Sequence, residues 1–156
     1  MARPNRRVIE VTPALANFAS AYAANDQLGI VNTLANALSD EKGISKLVSV
    51  SILDKAKQKK ALDVFLFDAS PTLVSADNDE FEMTDANMLK CIGVVKVDAA
   101  DYSDNKNSAV ATIQNLNLML QGVAASTSLY CVLVTRGTPT YGAAGDLVVK
   151  LGFDQQ

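Results

Sequence analysis

Apolar residues recur at every second position along much of this chain, and that period limits what it can fold into more than any other feature. Over residues 47–53, Val48, Val50 and Ile52 fall on one side, Ser49 and Ser51 on the other. Near the C-terminus Leu147, Val149, Leu151 and Phe153 share a side. Alternation of this kind belongs to a pleated strand that turns one face to a core and one to water. Residues 62–67 and 129–134 are apolar on both sides, which predicts strands inside a sheet. Residues 92–97 and 109–121 also read as strand, with Leu116, Leu118 and Leu120 on one face.

The intervening stretches read as turns and loops. Ser39-Asp40-Glu41-Lys42-Gly43 is polar, 55–60 is lysine-rich, 75–82 is acidic, and 98–107 is polar. Residues 14–24 are rich in alanine, but Asn17, Ser20 and Tyr22 leave no continuous helical stripe. Residues 30–38 fit a strand or a helix equally. Thr84 can cap a two-turn helix over the next residues, with Asp85 and Lys90 placed to suit its dipole. About eight strands against one short helix predict an all-β fold, a jelly-roll-like β-sandwich. A chain of 156 residues suits one domain. The expected organisation is an extended N-terminal arm over residues 1–10 and a single sandwich over 11–156.

Composition narrows function chiefly by removal. The chain has no histidine. Histidine is the side chain that titrates near neutrality, so Ser-His and Cys-His dyads and histidine-bound zinc are excluded. The net charge of −3 argues against nucleic-acid binding over the whole surface. No apolar run approaches the length of a membrane span, and no secretory leader is expected. Cys91 and Cys131 sit among apolar neighbours and read as buried thiols; a bridge between them needs adjacent strands.

Several motifs have both a chemical and a plainer reading. The acidic run Asp77-Asn78-Asp79-Glu80 with Glu82 offers oxygen ligands for calcium, but it lacks EF-hand spacing and reads as a solvated loop. Asp63 and Asp68 flank a strand as a glycosidase pair could, yet five positions along a strand put them on opposite faces. Lys55, Lys57, Lys59 and Lys60 could meet phosphate, but no aromatic residues interleave them. There is no phosphate-binding glycine loop. No cofactor and no metal site is expected.

The N-terminus is the candidate site. Arg3, Arg6 and Arg7 precede the β-prone Val8, Ile9 and Val11, with no acid among the first seven residues. One reading is a leader without a role. The other is an arm that orders on a partner, its arginines meeting carboxylates and its strand adding to a foreign sheet edge.

Most of the chain beyond residue 10 resembles a family of small tailed-bacteriophage virion proteins of the capsid decoration, or cement, type. The resemblance lies in Val11-Thr12-Pro13 through Asp26-Gln27-Leu28-Gly29, in Val50-Ser51-Ile52-Leu53-Asp54 through Phe67, and in Ser75-Ala76-Asp77-Asn78 through Gly93-Val94-Val95. It continues in Leu129-Tyr130-Cys131-Val132-Leu133-Val134 through Tyr141 and in the tail from Asp146 to Phe153. Gly29-Ile30 stands where the family leads one to expect two glycines. The resemblance implies a non-enzymatic β-sandwich on the capsid exterior. It would bridge subunits of the major capsid protein as a small homo-oligomer, a trimer or dimer, without touching membrane or nucleic acid. A tail or neck component and a receptor- or carbohydrate-binding module are the alternatives.

Overall fold

The computed structural model describes residues 5–156. These residues contain ten strands: β1 (Asn5–Val11), β2 (Gln27–Leu34), β3 (Ile44–Asp54), β4 (Leu62–Phe67), β5 (Cys91–Val97), β6 (Tyr102–Asp104), β7 (Ala109–Ile113), β8 (Leu118–Gln121), β9 (Leu129–Thr135) and β10 (Leu147–Gln155). One helix, α1 (Asp85–Met88), is capped by Thr84, whose side chain accepts from the Asn87 amide. Single 3-10 turns occupy Ala99–Asp101 and Ala144–Asp146.

The strands form two antiparallel sheets. One runs β1-β10-β3-β7-β6, with β8 also paired to β3; the other runs β2-β9-β4-β5. The pairs β1:β10, β2:β9, β3:β7 and β4:β5 nest inside one another like brackets. A long hairpin of strands folded over on itself gives this order, with β10:β3 and β9:β4 as the contacts made on wrapping. This is the jelly-roll form of β-sandwich, so the expected all-β sandwich with one short helix is observed.

The interior is apolar, as the alternation requires. Leu147, Val149, Leu151 and Phe153 on β10 face Leu62, Val64 and Leu66 on β4, all fully or almost fully buried. β4 and β9 are apolar on both faces because a second cluster lies outside their sheet. There Phe67, Val132 and Val134 are covered by Phe65, Leu73, Phe81 and Met83, and the Phe65 and Phe81 rings stand 5.0 Å apart.

Four details depart from the sequence expectations. On β3 it is Leu47, not Val48, that joins Val50 and Ile52 inside. The pairing with β10 slips between Gly152 and Phe153, and this bulge turns Val48 outward. The expected strand over 109–121 is two strands, β7 and β8. Both lie along β3, separated by a turn in which Asn115 takes a positive φ of 58° and the Leu116 amide bonds Val48 O. The polar loop 98–107 contains the short strand β6. Finally, residues 5–11 are not a free arm. They form an edge strand on the chain's own β10, from Asn5 opposite Gln155 to Val11 opposite Val149, so the expected boundary at residues 10/11 falls inside a strand.

Candidate partner-binding surface

β1 borders its sheet, paired to β10 along all seven of its residues, and its side chains are mostly outside the core. Arg6, Arg7 and Val8 are exposed, Val8 at 68%, while Ile9 is half-buried and only Val11 enters the core. Its side-chain ties are few: Asn5 Nδ2 donates to Gln155 Oε1 at 2.9 Å, and Glu10 lies 3.8 Å from Lys150 Nζ in an exposed pair of little energetic weight. β1 therefore carries two exposed guanidinium groups and an unpaired outer backbone edge. Arg3 lies outside the described residues. Of the candidate residues, Arg6 and Val8 share the outer face of β1; Arg7 is exposed on the other face, the one from which Ile9 and Val11 reach the core.

Behind β1 the chain is strapped down. Residues 12–26 cross to β2 without regular structure, and the Asp77 carboxylate holds them. It accepts from the Ala16 and Asn17 amides at 2.9 and 3.1 Å, from Tyr22 Oη at 3.0 Å and from the Gly29 amide at 2.6 Å. The acidic run is thus a structural clasp. Leu15 and Tyr22 bury their side chains, and the Tyr22 and Tyr141 rings meet edge to face at 6.0 Å. Composition marked this run as acidic, but nothing local marked which carboxylate would receive four donors from 48 to 61 residues away.

The other charged motifs are also occupied. Asp63 is buried and bound by Arg136, whose Nε and a terminal nitrogen both lie 2.9 Å from Oδ2; the guanidinium also donates to Asn25 Oδ1 at 2.7 Å. Asp68 lies beyond the opposite end of β4, so the two carboxylates are not brought together. Asp68 instead lines an open groove of about 590 Å³ with Lys42, Ile92, Met119, Gln121 and Val123. Lys57 and Lys59 converge on Asp104 at 3.5 and 3.0 Å, and the hydrogen bond from Lys59 holds that carboxyl below its usual range. Asp54 is buried and accepts from the Lys59 amide at 2.7 Å; burial pushes its pKa upward.

Cys131 lies in the core, where burial pushes its thiol up to about 12. Cys91 is half-buried over the outer cluster. Their strands are separated by β4, with Leu66 opposite Cys131 and Phe67 opposite Cys91, and both thiols are free.

No family model matches the sequence, and no curated protein does. Among solved structures, the chain is similar to capsid chains from a full particle of Israeli acute paralysis virus heated to 63 degrees, at 13% identity and a TM-score of 0.32 over 97% of this chain and 70% of the other. A native Kashmir bee virus virion at neutral pH gives 14% identity and a TM-score of 0.30 over 97% and 69%. The strand order of the chain itself, rather than these similarities, assigns the jelly roll.

Proposed function

We propose that this chain is a non-enzymatic structural protein of a virus particle, a cement protein on the outside of a tailed-phage head that stabilises the lattice of the major capsid protein. The observation that carries the reading is β1: a basic edge strand with exposed side chains and an unpaired outer edge on an apolar jelly roll. An unpaired strand edge can extend a neighbouring sheet, and Arg6 and Arg7 can meet carboxylates of the shell. The jelly-roll wrap, an architecture that viral capsid domains use, and the family resemblance point the same way.

The physics needed is linkage. A protein that binds the assembled lattice and not its separated subunits stabilises the lattice by mass action. Copies repeated around a shell, and joined to one another, add weak contacts through high effective concentration. Electron cryomicroscopy of particles carrying the chain tests this. Density on the outer capsid surface, with β1 toward the shell, is expected. Density confined to the tail or neck overturns it.

A further inference from the structure

We propose that the outer edge of β1 pairs antiparallel with β1 of a second copy across a two-fold axis at Val8, so that free chains hold this edge closed as a dimer. The pairing is argued from this chain alone; its role as a closed form rests on β1 being the contact with the shell.

The edge strands differ in what they can accept. β2 and β5 end the four-stranded sheet, and both are irregular: the register of β2 on β9 shifts between Leu28 and Asn32, that of β5 on β4 between Leu66 and Phe67. β6 and β8 have three and four residues. Bulges and shortness are devices that keep strand edges from pairing. β1 has neither. Its register on β10 runs unbroken through seven residues, and among the described residues no strand pairs with its other side. Val8, at its middle, is 68% exposed.

Charge on an edge strand ordinarily repels a second strand. On β1 the charges are placed so that a copy satisfies them. Opposed residues in an antiparallel pair share a face, so a two-fold axis must set one residue against its own copy. At Val8 it sets Arg6 against Glu10 of the second copy and Glu10 against the second Arg6, with the two valines between them on the outer face. On the other face Arg7 meets Ile9 of the second copy. Every one of these pairs lies inside the strand. An axis at Arg6, Arg7 or Glu10 would oppose like charges, and one at Ile9 would set Val8 against Glu10. Only the Val8 axis pairs opposite charges. Among the described residues neither arginine makes an ion pair within its own chain, and Glu10 has only the 3.8 Å approach of Lys150. A foreign strand must offer an acid, an apolar residue and a base at alternate positions; a second β1 offers them by symmetry. Opposite-charge and apolar cross-strand pairs are what stabilise such a join.

The test uses the full chain. Sedimentation velocity at low salt is expected to show a concentration-dependent dimer, and added salt should weaken it. Arg6→Glu sets acid against acid twice over and should weaken the dimer severalfold; adding Glu10→Arg reverses both pairs and should recover part of the loss. Val8→Lys should also weaken it severalfold, with the thermal midpoint unchanged in solutions dilute enough to be monomeric. Directly opposed residues lie about 4.5–5.5 Å apart between Cα atoms, within disulfide range. In a Cys91→Ser background, Val8→Cys should therefore give a covalent dimer on mild oxidation, and the exposed Ile30→Cys on β2 should not. The covalent dimer should fail to co-sediment with capsids, and reduction should restore binding. A chain that stays monomeric up to its solubility limit, a dimer indifferent to Arg6→Glu, equal crosslinking at both sites, or a covalent dimer that binds capsids as well as the reduced chain overturns the proposal. A dimer that forms as described from a wild type that never binds capsids overturns the shell contact, and the closed-form role with it, and leaves the pairing standing.

Discussion

Asp77 shows how one side chain can organise a long irregular segment. Three amides and a tyrosine hydroxyl converge on its carboxylate. Asp77→Ala leaves these donors without their acceptor, and a loss of about 2–4 kcal/mol in urea unfolding is expected; Asp77→Asn keeps one acceptor and loses less. Asp54 behaves differently, because burial raises its pKa. A carboxyl raised on folding binds its proton more readily in the folded state. Its contribution is then fully present below the ordinary carboxylate range and is lost as pH rises through the raised value. The stability of the wild type minus that of Asp54→Asn should fall as pH climbs from acid to neutral, and a flat difference would contradict the assignment. The thiols separate by the same physics of burial. In the native protein at pH 8, Ellman's reagent should titrate Cys91 and spare Cys131, whose thiol stays protonated up to about 12; denaturant should release both.

Strands with a clean period of two were legible from the sequence, because a half-buried strand has to alternate. β10 and β4 came through with their core faces correct, and α1 with its N-cap, though as a single turn that ends before Lys90 rather than the two turns expected. Features that depend on a neighbour were not legible. The bulge at Val48 answers a slip against Gly152, and the break between β7 and β8 sits at the same level of the sheet. Three-residue β6 is too short for a period to show. The slip has a measurable consequence. A methyl group added at Gly152 would collide with Ser49 Oγ. Gly152→Ala should cost about 1–3 kcal/mol, and Ser49→Ala in the same chain should return most of it, a coupling that thermal unfolding of the double-mutant cycle would read. No pairing partner, and hence no such clash, can be inferred from either segment alone.

For the molecule as a whole, the jelly roll follows from the number and spacing of strands, but the seat of β1 does not. A run such as Arg6-Arg7-Val8-Ile9 suits its own sheet or another's, since backbone pairing is indifferent to which chain supplies the edge. Arg6→Glu with Arg7→Glu should leave the unfolding transition in place, because both side chains are exposed, and should abolish co-sedimentation with capsids. Removal of residues 1–10 should do the same at a modest cost in stability, since Val11 and the core remain; binding retained by both variants would remove β1 from the proposed contact. The Asp77 clasp also sets a geometric limit. If β1 leaves β10, the chain can pay out only as far as Pro13, where the strap begins. Eight residues from Asn5 to Thr12 span at most about 28 Å when fully extended. Any docking surface for Arg6 must then lie within that tether of the sandwich, and weakening the clasp would lengthen the leash.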